Sequence, residues 1–426
     1  MTITLTSPIM SKCNDAPLSG YRRYRPPNRP VMEVVNMLKS GWLLLIVSFL
    51  LICAPLLSAP PTTKIEGGQD GPAPARPVYT PAGSDSAYAE TSSRWLVPRS
   101  HVAATDLKIV WQFNLPLADN ESLDQLLVFG NRLCGLSSRN YLVCLNRTDG
   151  NVMFSSSIAP AGLPLAGLES YQGELITIVG NKFVEINADF GTEQTSTNLA
   201  CGVTCPIVRN NSFFYVAGSD KRIHVLKASN KVQVFEVAAE NDSLITTVLA
   251  DQEFVIFATE LGNVICITAD RPHKLWQFDA PDGGQLVRDS NSIYFACRNT
   301  NVYRLELSSG HLVWKYQTSA ILDSAPQSGN KVVYQRIPDV GLIAVEKETG
   351  KLLWQLADGV GLLAESGNKA FLVTKAGILV AMDNAKAKQL YSIDIGQPVK
   401  YATNATDSKI YIADAKGRLT CLQPAQ

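Results

Sequence analysis

From residue 105 onward the chain alternates short apolar runs with polar turns, and the alternation itself repeats about every forty residues. In one unit the runs "GLLAE", "AFLVTK" and "ILVAMD" are split by "SGNK" and "AG", and "QLYSIDI" closes the unit. Short runs rich in Val, Ile, Leu and aromatic residues, bounded by Gly, Asn and Ser, predict antiparallel strands joined by tight turns. No helical periodicity competes with them after residue 105. Four such strands at this period predict the blades of an all-β propeller rather than a stack of helical repeats.

One register runs through the whole region. Trp111, Phe154, Phe235, Trp276, Trp314, Trp354 and Tyr391 occupy equivalent places, with Thr195 filling the gap, at successive steps of 43, 41, 40, 41, 38, 40 and 37 residues. Ten residues before each member after the first stand Cys144, Glu185, Val225, Cys266, Arg304, Ala344 and Ala381, and the next position is always apolar. The last unit, "PVKYAT", "KIYIAD" and "RLTCLQ", stops short of a fourth strand, while the region opens with a surplus one, "LKIVWQFNL". If that N-terminal strand completes the last blade, two exposed edges disappear at once. The prediction is an eight-bladed propeller of four-stranded blades over 105–426, closed by an N-terminal strand.

The stretch "AVEKETGKLLW", Ala344 to Trp354, fits the repeat of the pyrroloquinoline-quinone-type propellers, with a small residue, an acid, Thr-Gly and Trp at these offsets. "RLELSSGHLVW" fits less closely, and "CLNRTDGNVMF" keeps the glycine but has Phe154 for Trp. Gly150, Gly191, Gly310 and Gly350 hold the turn position, where a positive φ is readily reached, and Lys231, Pro272 and Ala387 stand there in other units. The resemblance implies that the tryptophan packs across the small residue of a neighbouring repeat, so these positions are read as structural. Glu346 and Asp383 are read as turn acceptors rather than catalytic carboxylates.

Cys144, Cys266 and Cys421 share the column of Ala344 and Ala381 and read as small buried residues. Cys134 and Cys144 flank the turn "SSRN" and could face each other across a hairpin. "CGVTC", Cys201 to Cys205, could close a small loop. Both pairs are candidate disulfides outside the cytoplasm, and with seven cysteines after residue 59 at least one stays free or pairs with another chain. The four histidines show no metal-ligand spacing, and there is neither a GxSxG elbow nor a phosphate-cradling glycine loop. The reading assigns no catalytic residue, no cofactor and no metal.

The N-terminal part differs in character. Lys12, Arg22, Arg23, Arg25, Arg29 and Lys39 face only Asp15 and Glu33, and the uncharged run "WLLLIVSFLLICAPLLSA" follows. The expectation is a cytoplasmic basic arm over 1–41, an uncleaved transmembrane signal anchor over 42–59, and a Pro-rich disordered linker over 60–104. A cleaved signal peptide and lipidation at Cys53 are the alternatives, against a polar lead of about forty residues and Ile52 before the cysteine. This topology puts the propeller in the periplasm of a bacterium, held at the inner membrane by a single pass.

Lys and Arg total 38 and Asp and Glu total 38, so net charge offers no electrostatic reason for a nucleic-acid partner. The plan of eight blades with this motif is similar to that of the outer-membrane assembly propellers, which implies a protein-binding scaffold with partners in the cell envelope. The anchor departs from that family, which carries a lipidated cysteine. Quinone-dependent alcohol or sugar dehydrogenases resemble the chain in blade motif but carry adjacent cysteines and a Ca²⁺ held by Glu, Asn and Asp. No Cys-Cys dipeptide occurs here. A small-ligand sensor is the third reading.

Overall fold

The computed structural model describes residues 94–396 and 399–425. The basic arm, the 42–59 run and most of the expected linker lie outside the described residues. Among the described residues no helix is long and apolar enough to cross a membrane.

The strands form eight antiparallel sheets of four. Seven are built in chain order, spanning 123–157, 165–198, 208–238, 245–279, 284–317, 327–357 and 359–394. The eighth joins Val399–Ala402, Ile410–Asp414 and Arg418–Pro424 to Leu107–Asn114 from the start of the region, in register from Leu107 opposite Pro424 to Asn114 opposite Arg418. The first strands of blades 1 and 8 touch, as do those of blades 3 and 4, 4 and 5, and 5 and 6, so the first strands line the middle of a closed ring. Consecutive strands run antiparallel. The turns between first and second and between third and fourth strands therefore lie on one face, and the turns between second and third strands lie with the inter-blade linkers on the other.

The apolar core is not one mass. It divides into eight clusters, and each draws its buried side chains from two adjacent blades. The seam between blades 2 and 3 is the smallest of them. This layout follows from the strand pattern: central strands such as "YLVCLN" and "AFLVT" are buried on both faces, because each blade is covered on both sides by a neighbour.

The packed region starts earlier than the expected linker boundary. Arg99–Val102 forms one helical turn, and Leu96, Val97 and Val102 are buried against Phe371, Ile393 and Ile412 of blades 7 and 8. Their small number among prolines and serines hid them from a periodicity search. Just beyond, Asp106 accepts hydrogen bonds from Lys369 Nζ and Tyr391 Oη, which ties the entry of the closing strand to blade 7.

Two predictions follow from this clamp. A chain beginning at Arg94 should be more stable than one beginning at residue 105, since burying one aliphatic side chain is worth about 1.5–3 kcal/mol. A chain beginning at residue 117 loses the closing strand and should aggregate. Urea unfolding and size-exclusion chromatography of the three would show it, and equal stability would refute the clamp. The second concerns acid. Burial pulls the Asp106 carboxyl upward, but the hydrogen bonds from Lys369 and Tyr391 and the Lys369 charge outweigh it and hold the carboxyl below its ordinary range. Its contribution is thus present above the unfolded value of 3.8 and is lost as pH falls through the lower folded value. Asp106→Asn should lower the melting temperature at neutral pH and have progressively less effect as the pH is taken below that point.

Candidate functional site

The repeat register predicted from sequence is one structural device. Each aromatic column residue stands directly opposite its partner ten positions earlier on the third strand: Phe154 opposite Cys144, Phe235 opposite Val225, Trp276 opposite Cys266, Trp314 opposite Arg304, Trp354 opposite Ala344 and Tyr391 opposite Ala381. Thr195 stands opposite Glu185, and Trp111 opposite Cys421 across the ring closure. The column residue is therefore a cross-strand neighbour within the same blade, which corrects the expectation that it belongs to the adjoining repeat. In all eight blades the register slips by one residue next to this pair. Such a bulge re-aims the side chain beside it.

What the ring covers in the next blade is the turn glycine. A Cβ built at Gly150 would stand 2.7 Å from the Trp111 ring, and one at Gly350 2.7 Å from that of Trp314; Gly191 under Phe154 and Gly310 under Trp276 leave even less room. All four glycines have φ near +70°, between 68° and 74°. The indole N–H then donates to a carbonyl three residues before the glycine: Trp111 to Arg147 at 3.2 Å, Trp276 to Leu307 at 2.9 Å and Trp314 to Lys347 at 2.7 Å. Trp354 donates instead to Asn384 Oδ1 at 3.0 Å. Where the turn holds Pro272, or where chain closure leaves no turn at all, the rings of Phe235 and Tyr391 are only half-buried. The acids play the turn role expected of them. Glu346 accepts from Thr349 Oγ1 and Asp383 from the Ala385 and Lys386 amides.

The seam between blades 2 and 3 breaks this rule in a coordinated way. Thr195 replaces the ring, Glu185 replaces the small partner, and Lys231 replaces the glycine while keeping its positive φ of 59°. The Glu185 carboxylate, 8% exposed, accepts from Thr195 Oγ1, pairs with Lys231 Nζ at 2.7 Å and lies 3.8 Å from Arg209. Arg209 and Lys231 sit over the Phe214 ring at 4.6 and 5.0 Å. With no ring to fill it, the seam holds a cavity of about 180 Å³ lined by Thr197, Leu199, Cys201, Val216, His224 and Lys231 among others.

The cysteines divide by the same geometry. Cys134 and Cys144 face each other on paired strands and form a disulfide. Cys201 and Cys205 do not, contrary to the second candidate pairing. Cys201 lines the cavity between blades 2 and 3, whereas Cys205 is buried in the cluster between blades 3 and 4, so the loop that holds them sends the two thiols into different seams. Burial pushes the thiols of Cys205, Cys266 and Cys421 up to about 12, which leaves them protonated and unreactive at neutral pH. Sequence spacing gave no hint that Cys201, on a linker, would meet Asp220 and His224 on a hairpin. The adjacent cysteines of a quinone site are absent from the sequence, and the one disulfide among the described residues staples the second and third strands of blade 1, so the cysteines present do not fit that group.

Comparison with known proteins agrees with this architecture. The family model described as outer membrane protein assembly factor BamB matches residues 260–364. No curated protein matches the chain. Among solved structures, BamB from Moraxella catarrhalis is similar with a TM-score of 0.59 at 13% identity, over 74% of this chain and 97% of that one. The computationally designed Ika8 protein is similar with a TM-score of 0.59 at 13% identity, over 71% and 96%. The quinohemoprotein alcohol dehydrogenase of Comamonas testosteroni has a TM-score of 0.55 at 12% identity, over 76% of this chain and 77% of that one. The chain is an eight-bladed β-propeller. In fold, and over residues 260–364 in sequence, it resembles BamB.

The irregular seam generates a test. Glu185→Ala should cost about 3–5 kcal/mol, because it leaves the Lys231 charge without its carboxylate in a buried setting, while Arg209 keeps Glu174. The triple change Glu185→Ala, Thr195→Trp, Lys231→Gly restores the regular joint and should recover most of that loss. Urea midpoints of the parent, the single and the triple variant give the comparison, and a triple variant weaker than the single one would show that the seam is not an alternative form of the joint.

Proposed function

We propose that the chain is a non-enzymatic protein-binding scaffold of the cell envelope, with a role in outer-membrane protein assembly or envelope organisation. One observation carries the reading: the match to BamB falls on residues 260–364, and this segment presents Leu261 and Ile321 on one face of the ring. Most other exposed apolar side chains have a local cause. Val110, Val234, Leu275, Val313 and Leu390 are the extra residues of the bulges, turned outward on the fourth strands. Leu163, Leu261 and Ile321, at 44, 52 and 57% exposure, have no such cause. Leu163 and Ile321 lie in inter-blade linkers and Leu261 in a turn between second and third strands, so all three share the linker face. Phe190 and Val232, at 71 and 58% exposure in turns between third and fourth strands, put apolar surface on the other face as well, and exposed apolar side chains of this kind suit a partner's apolar segment.

In this reading residues 42–59 hold the chain at the inner membrane and the propeller works in the periplasm. Photocrosslinkers placed at positions 163, 261 and 321 in intact cells should capture an envelope protein, while the same group at positions 234 and 275 on the rim should not. Recovery of outer-membrane assembly components would support the reading. A chain that instead binds pyrroloquinoline quinone in a saturable, Ca²⁺-dependent way and oxidises an alcohol with a dye acceptor would replace it with the dehydrogenase reading.

A further inference from the structure

We propose that Cys201, Asp220 and His224 form a site for a borderline divalent transition-metal ion such as Zn²⁺, opening into the cavity between blades 2 and 3. The three side chains come from two separate pieces of chain, and one ligand atom from each lies within 4.8 Å of the others. Sulfur, imidazole nitrogen and carboxylate oxygen is a donor set suited to such ions. Tetrahedral coordination at about 2.0–2.3 Å sets ligand atoms roughly 3.3–3.7 Å apart, so a small opening of the His224–Asp220 contact and a small shift of the sulfur would complete it.

The geometry is that of coordination rather than of a catalytic triad. A Cys–His–Asp triad needs the two ring nitrogens to face different partners. Here one nitrogen serves both. His224 Nε2 lies 2.9 and 3.1 Å from the two Asp220 oxygens. A Cβ added to Gly218 would meet the Cys201 Sγ and this same Nε2 at 3.0 Å each, with an Asp220 oxygen closer still, so the three ligand atoms crowd one point that only a glycine leaves open. The other nitrogen, Nδ1, is 3.2 Å from Gln233 Oε1, an acceptor that holds a proton on Nδ1, so that a metal ion would take the place of the proton Nε2 shares with Asp220.

The site is also held in advance. The Ser219 amide donates to the Gly202 carbonyl at 2.8 Å and the Thr204 amide to that of Ala217 at 3.0 Å, while Val203 bridges Gly218, so the cysteine loop is zipped onto the hairpin turn. Cys201 and His224 line the cavity, which leaves room for water or a small ligand at a fourth coordination position.

The test uses the full chain, purified metal-free, with Co²⁺ as spectroscopic probe and Zn²⁺ as competitor. We expect one Co²⁺ per chain, with a thiolate-to-cobalt charge-transfer band that Zn²⁺ displaces. Cys201→Ser should abolish the band, and Asp220→Asn and His224→Gln should each weaken binding at least tenfold, with circular dichroism and melting temperature unchanged. Zn²⁺ should also protect Cys201 from alkylation. Absence of stoichiometric binding, or binding that survives all three substitutions, would overturn the site. A Cys201–Cys205 disulfide in the purified chain that leaves Co²⁺ affinity unaltered would overturn it equally.

Discussion

The ring depends on a contact between an aromatic face and a backbone that has no side chain. At four seams a bulge on the fourth strand turns the ring toward the next blade, and the turn it meets there is a glycine in the left-handed region. The requirements lock together. Without the bulge the ring would follow the pleat, with a Cβ on the glycine the ring could not approach, and without the approach the indole N–H would lose its carbonyl. A buried N–H without a partner costs about 1–3 kcal/mol, and removal of a large buried aromatic about 3–5 kcal/mol. The joint therefore fails steeply rather than gradually.

Because the core is divided into eight seams, every blade is held only by its two neighbours, and a ring is only as continuous as its closure. Trp111 brings the regular joint to the closure, packing from blade 8 onto Gly150 of blade 1. A second element reinforces it. Arg147, 5% exposed, extends from the blade 1 turn into blade 8, donating to Tyr411 Oη at 3.1 Å, Asn404 Oδ1 at 3.1 Å and Thr406 Oγ1 at 3.0 Å and pairing with Asp407 at 2.7 Å. A guanidinium satisfied this fully is well placed in a buried setting, where a cation with no partner would be strongly destabilising. Lys347 reaches back in the same way from blade 6 to Asp289 of blade 5 and to the Gly329 carbonyl. It stands at the same turn offset as Arg147, so the polar staple is a variation on the apolar joint.

The blade number, the closing strand and the aromatic register were legible in the sequence because all three express one local rule repeated at a fixed period. What the ring packs on was only half legible. The pattern shows a small residue and a glycine at fixed offsets from Trp354, but not that Ala344 lies across the hairpin while the glycine under Trp314 is Gly350 of the following blade. Direction around the ring is a tertiary property. The buried Leu96 and Val97 and the meeting of Cys201 with Asp220 and His224 were not legible for a related reason: each rests on a few residues with no period, brought together by chain closure or by a linker folding over a hairpin. "CGVTC" misled because close spacing in sequence says nothing of two side chains that enter opposite seams.

Where the joint is absent, the space it would fill becomes available for chemistry. Three replacements at the seam of blades 2 and 3 are mutually dependent: Lys231 accepts the left-handed turn because Thr195 sends no ring against it, and Glu185 is tolerated in a buried column because Lys231 and Arg209 neutralise it. A single substitution toward this arrangement from the regular joint would leave either a Cβ clash or an unpaired buried charge. The polar seam is thus a separate stable solution, not a weakened copy of the others, and its by-product is the cavity. At the regular seams ring and glycine are in contact. The cavity's wall carries Cys201 and His224, so the seam where ring, small partner and glycine are all replaced is also where polar, metal-competent side chains converge.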